Sequence, residues 1–512
     1  MTEKCNCGYY PTVIIPGIGH SRVELVDDVG NSKGYCFPPE IETSAFVKGV
    51  LPCVLKMCIT RNTEKYTPEL KEACGNILGM LELNCEGKPK ALQRVESYNY
   101  PLSQFSDSFK RYIYACVPLM DLADVIGEDH LYFYAFNSFG QPYESAEGLH
   151  RFIQTVKAQT GHDKVNLIAI SLGGCVSVAY LDSYAHKGDV HRIINFVPAI
   201  NGTQFLADII DNKLDLDRPM ELFELFTNHS TAEKICGYLD KIPKKVYYAV
   251  LGTVIEILRE RLILNCANMW GTIPKEKYPE LRDKYLKGAK YSILRAKADR
   301  LHRAHLNYEA NVKKAMKTGT QFFDICGYGR KLIALSPSDT VSSDGVIDTY
   351  GASAFAHVAP LGETFPEDYK QHNKACTRKK HNHISPDRTV DASAGLFPET
   401  TWYFKDQFHD AIAYNDVALK LCREILTNDD FVDVHSDPRF PQFNGCRNVR
   451  AIRYNLLPRA EKADRTKLTH YQAAELDAAV KQAQNMLENT IIESPEEAEK
   501  AQRRLSAALA EV

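Results

Sequence analysis

Residues 166–181 read NLIAISLGGCVSVAYL, and the junction inside this stretch decides the fold. Up to Ile170 the run is short and apolar, the pattern of a strand buried on both faces. From Leu172 small and apolar residues follow one another in a way that suits a buried helix. Ser171 stands between them, with Ala169 before it and the pair Gly173 and Gly174 after it. A tight turn from strand to helix requires small residues there, because the next elements pack directly against it.

Outward from that junction, TVIIPG (12–17), LYFYAF (131–136) and RIINFV (192–197) are apolar runs of the same kind. Between the second of these and the central run lies ESAEGLHRFIQTVKAQTG (144–161). Its Leu149, Phe152, Ile153 and Val156 share one helical face, with Ser145 placed to cap the start and Gly161 to end it. Strands alternating with helices predict a doubly wound, mostly parallel α/β sheet.

In such a sheet a serine on the turn is lifted above the strand ends, and the Leu172 amide points at the same space near the positive end of a helix. Ala169-Ile170-Ser171-Leu172-Gly173 is then a variant of the GxSxG nucleophile elbow. The plainer reading makes Ser171 an ordinary helix cap. A serine hydroxyl needs a base, and the base an orienting carboxylate. KLIALSPSDTVSSDGVIDTYGAS (331–353) reads as a returning strand whose following turn carries Asp344, with Asp339 and Asp348 as competitors. Of sixteen histidines, His409 lies between the strand-like WYF (402–404) and an amphipathic helix carrying Ile412, Val417, Leu419 and Leu421. His20, after the first strand, is a candidate to line the pocket, and His381 and His383 lie in a polar loop; as exposed loop histidines all three have the plainer reading, which only His409 escapes. In Pro16-Gly17-Ile18-Gly19-His20-Ser21 the glycines allow close backbone approach, and the Ile18 amide is the second candidate oxyanion donor.

Four stretches carry a family resemblance: VIIPGIGHSRVELVD (13–27), the run from YFYAFNSFGQ (132–141) to KVNLIAISLGGCVSVAYL (164–181), ANMWGTIPKEKYPEL (267–281) and SDGVIDTYGAS (343–353). In that order they resemble the lecithin:cholesterol acyltransferase-like branch of the α/β hydrolases. Ala169 and Ile170 replace the glycine and histidine common before the serine, and SDGVID stands for a GDGTVP-type acid motif. The resemblance implies an α/β-hydrolase fold with large helical lid insertions. It also implies Ser171 as nucleophile, Asp344 as acid, His409 as base, and the amides of Ile18 and Leu172 as the oxyanion hole. Gly17, Gly19, His20 and Trp270 become pocket candidates. The implied activity is serine-dependent hydrolysis of a lipid-like acyl ester through an acyl-enzyme. Transfer to a lipid or sterol alcohol is the alternative, and a catalytically silent lipid-binding protein the reading from another class.

The predicted organisation is a first core part over 1–202 with a helical insertion at about 36–110, a helical lid over 203–320, and a second core part over 321–458. A small helical module over 465–512 closes the chain. In that module Leu476, Val480, Ala483 and Leu487 keep helical spacing, and Ser494, Pro495 and Glu497 form a capping signal. It resembles the FIVAR-type helices of bacterial surface proteins.

A net charge of -3 gives no field that would gather nucleic acid. The most apolar long window, 246–264, contains Glu256, Arg259, Glu260 and Arg261, which argues against a transmembrane segment. The amphipathic runs within 36–110 suit transient contact with a membrane surface but lack the basic face of a strong anchor. The first residues lack a signal-peptide pattern, so the expected location is cytoplasmic, or extracellular if a signal peptide has been removed. Fifteen scattered cysteines suit reduced, buried thiols, and the lone CxC of Cys5 and Cys7 reads as a plain N-terminal segment. No metal and no organic cofactor is called for by these motifs.

Overall fold

The computed structural model describes residues 7–38, 43–216, 242–333, 335–373, 381–444, 452, 456–488 and 495–510. Among them, seven strands form one sheet: β1 (Thr12–Ile15), β2 (Leu131–Phe133), β3 (Val165–Ile170), β4 (Val190–Phe196), β5 (Gln321–Tyr328), β6 (Thr401–Lys405) and β7 (Phe443–Asn444). Their spatial order is β7-β6-β5-β4-β3-β1-β2, and every neighbouring pair is parallel. Side chains alternate between two cores, as the two-residue period of a strand requires. Val13, Ile15, Leu167, Ala169 and Ile193 enter one, and Ile14, Ile168, Ile170 and Ile194 the other. The expected α/β architecture is therefore present, with helices on both faces of the sheet. Helices α1 (Pro142–Thr160) and α2 (Leu172–Tyr184) cover the first face. Helix α5 (Asp416–Thr427) covers the second.

Three boundaries differ from the sequence reading. Helix α1 begins at Pro142 rather than after Ser145, which sits buried in the first turn; proline has the fixed φ and missing N–H that suit the opening position. Gly161 ends α1 in the left-handed conformation, as expected. The returning strand is QFFDICGY, residues 321–328, not KLIAL; residues 330–331 and 342–343 form only a short antiparallel pair. After β6, one expected helix is two, α4 (His409–Ala413) and α5, with Asn415 capping the second through the Val417 amide.

The two insertions meet. Helices over 43–60 and 63–78 pack through Val50, Met57, Leu70 and Cys74 against Val246 and Ile257 of α3 (Lys244–Arg261). Nearer the C-terminus, α6 (His470–Glu488) and α7 (Pro495–Ala510) share a separate apolar cluster that also includes Ile452, Leu456 and Ala460. The Ser494 cap lies outside the described residues. Among the described residues no helix is long and apolar enough to cross a membrane.

Two polar residues meet at the centre of the sheet. Asp324 on β5 is fully buried and accepts a hydrogen bond from the Asn195 amide of β4 at 2.8 Å. Burial pushes its carboxyl from 3.8 up to about 8. Between those two values the folded chain holds a proton that the unfolded chain releases, so this residue lowers stability progressively as pH rises. Asp324→Asn keeps an acceptor for Asn195 and removes the titration. Its stability advantage over the parent, measured by urea unfolding, is expected to widen from pH 4.5 to pH 7.5; parallel curves would reject this account.

Candidate active site

Ser171 follows β3 directly and opens α2 with φ 50° and ψ −115°. A non-glycine residue in such a conformation stores about 1–3 kcal/mol. The surroundings hold it there: its N–H donates to the Phe196 carbonyl at 3.0 Å, and its carbonyl accepts from Gly174 and Ala199, both at 2.9 Å. The small residues are required by the packing. A Cβ on Gly173 would collide with the Ile15 carbonyl of β1, and one on Gly174 would lie 2.8 Å from Pro198 Cβ.

A hydrogen-bonded line runs from this serine into the second half of the chain. His409 Nε2 is 3.0 Å from Ser171 Oγ, and His409 Nδ1 is 2.7 Å from Asp344 Oδ2. The backbone repeats the link, since the His409 amide donates to the Asp344 carbonyl at 2.9 Å. Asp344 Oδ1 is occupied separately by the amides of Val346 (2.9 Å) and Ile347 (2.7 Å). The carboxylate is fully buried and His409 nearly so. Burial pulls the His409 pKa down, but the charge and hydrogen bond of Asp344, with Asp410 adding, leave it above its usual 6.5.

The competing acids are engaged elsewhere. Asp339 pairs with Lys331 at 2.5 Å and is largely solvent-exposed. Both carboxylate oxygens of Asp348 lie 3.1 Å from the Gln204 amide, and burial pushes its carboxyl up to about 7.

The loop after β1 adjoins the serine. A Cβ on Gly17 would lie 3.1 Å from Ser171 Cβ, so the loop packs directly against the serine at Gly17; Gly19 takes φ +84°. Leu172 is the first residue of α2, and its amide is among the donors that a helix N-terminus leaves without an intrahelical acceptor. The Ile18 side chain is exposed. His20 faces the same region: Asp410 and His409 both act on it electrostatically, burial lowers its pKa, and its buried Nδ1 has no hydrogen-bond partner among the described residues. Trp270 lies in the core, its indole N–H donating to the Leu264 carbonyl at 3.0 Å.

Two glycines outside the expected set shape this centre. A Cβ on Gly327 of β5 would stand 2.5 Å from Asp344 Cβ, and one on Gly345 would stand 2.7 Å from the Phe408 ring. A glycine within an apolar strand signals close backbone approach, which is the clue that Gly327 offered. The expectation for the loop histidines fails. His383 is fully buried with Nδ1 2.7 Å from Gln442 Oε1, and His381 packs its ring on His383 at 4.4 Å. Gln442 in turn donates to the carbonyls of Pro398 and Thr401, so this segment is pinned beside β6 instead of lying in solvent.

Comparison with protein families gives no matching family model, and comparison with curated proteins gives no match. Among solved structures, the chain is similar to one described as "The crystal structure of Tle4-Tli4 complex", at 11% sequence identity and a TM-score of 0.39, over 83% of this chain and 99% of that one.

Proposed function

We propose that this protein is a serine-dependent acyl-ester hydrolase that works through an acyl-enzyme on a lipid-like ester. The observation that carries this reading is the line Ser171–His409–Asp344, with the serine on a strained turn beside the Gly17 loop. Neutral His409 takes the hydroxyl proton through Nε2 as Oγ attacks the ester carbonyl. Asp344 holds the Nδ1 proton in place and stabilises the imidazolium. The amides of Leu172 and Ile18 receive the oxyanion. His409 then gives its proton to the leaving alcohol, and water repeats the sequence in reverse to free the acid.

A lipid-like substrate is supported by apolar surface on the helical insertions. Leu51, Leu55 and Ile59 are exposed at four-residue intervals on the helix that packs against α3. Such a stripe suits contact with an acyl chain or a lipid surface.

The test is covalent labelling with a fluorophosphonate, followed by peptide mass mapping and an ester pH profile. The label is expected on Ser171. kcat/KM should rise with pH through the titration of His409, above pH 6.5, because the base must be neutral and its pKa is raised. Labelling of a different residue would move the nucleophile elsewhere, and absence of labelling would leave a non-catalytic lipid binder as the better reading; either result sinks the assignment.

A further inference from the structure

Three parallel strands lie side by side in the order β2, β1, β3, so residues just upstream of each meet at one end of the sheet. Cys7 precedes β1, His130 precedes β2 and His162 precedes β3. Cys7 Sγ lies 3.2 Å from His130 Nε2 and 3.5 Å from His162 Nε2. The three donor atoms all fall within 4.8 Å of one another. A tetrahedral zinc ion with bonds of about 2.3 Å to sulfur and about 2.0 Å to nitrogen sets its sulfur and nitrogen ligands about 3.5 Å apart. The donors already stand close to that spacing.

We infer that Cys7, His130 and His162 form a binding site for a divalent transition metal, with zinc the best match. Thiolate and imidazole are soft to borderline donors, which select zinc over calcium or magnesium. Asp129 and Asp163, the sequence neighbours of the two histidines, are near enough to act on them electrostatically and add negative charge around a cation. Cys7 is exposed, so an ion can reach the three donors from solvent. An ion here ties the segment ahead of β1 to the starts of both neighbouring strands. About 17 Å of strand separates this end of β3 from the end that carries Ser171, so the site is distinct from the one already described. The Cys7 thiol also lies 3.3 Å from the Tyr9 carbonyl.

The test uses the full chain, stripped of metal with a chelator and titrated with cobalt(II), then with zinc in competition. One equivalent of cobalt is expected to give thiolate-to-cobalt charge transfer and the visible absorption of a tetrahedral ion. Cys7→Ser should lose the charge-transfer band. His162→Gln should weaken binding by more than about tenfold, since even indirect partners of a metal cost that much. Zinc should raise the Tm of the parent and leave that of Cys7→Ser unmoved, with circular dichroism verifying that both variants fold. A charge-transfer band that survives in Cys7→Ser, or a parent chain that takes up no cobalt, would overturn the site.

Discussion

Ser171→Ala should remove ester turnover, lowering kcat on the order of 10⁶, the scale seen when a triad serine is deleted. The argument is chemical. On the proposed mechanism Oγ is the atom that forms the acyl-enzyme, and it lies 3.0 Å from His409 Nε2. Stability should hardly move, because alanine occupies the same backbone conformation as serine and the backbone bonds to Phe196, Gly174 and Ala199 do not involve the hydroxyl. The measurement is kcat on a soluble chromogenic ester beside a thermal melt. Near-parental turnover in a folded variant would mean that the reaction uses another nucleophile.

Asp344→Asn should cost about 10⁴ in kcat, as loss of the orienting carboxylate does in other triads. The local geometry says why the replacement cannot adapt. Oδ1 receives two backbone amides, from Val346 and Ile347, so the asparagine oxygen must stay there and its NH2 group must face His409 Nδ1. Nδ1 then has to accept, which places the imidazole proton on Nε2, where it blocks proton transfer from Ser171. Asp348→Asn should change kcat far less, because its carboxylate oxygens lie against the Gln204 amide while His409 Nδ1 is taken by Asp344. If Asp348→Asn proved the severe variant, the acid would lie four residues further along.

What the sequence disclosed followed from local pattern. The buried run before Ser171 and the paired glycines after it identify a turn whose packing partners need not be known. Asp344 and His409 could be proposed from their positions after strand-like segments, since loops at strand ends converge in a parallel sheet. Pattern failed where a polar residue is buried. Asp324 broke the apolar run of β5, so the neighbouring KLIAL looked more strand-like than the strand itself. His383 reads as an exposed loop residue because its partner, Gln442, is 59 residues away. The Cys7 cluster was invisible for the same reason: its histidines are 123 and 155 residues distant, and only the strand order brings them to the cysteine. The close approach of Gly327 to Asp344 likewise depends on the fold around both.

The backbone of Ser171 has an effect that every folded copy carries, at rest as in turnover. Glycine adopts φ 50°, ψ −115° freely, while any residue with a Cβ is strained there. Folding stability alone therefore favours glycine at 171, and a serine persists at this residue against that preference. On the proposed mechanism the most stable version of this chain and its reactive version differ at position 171, in the direction expected where activity and stability oppose each other. A redesign that optimised only the fold would begin by erasing the hydroxyl.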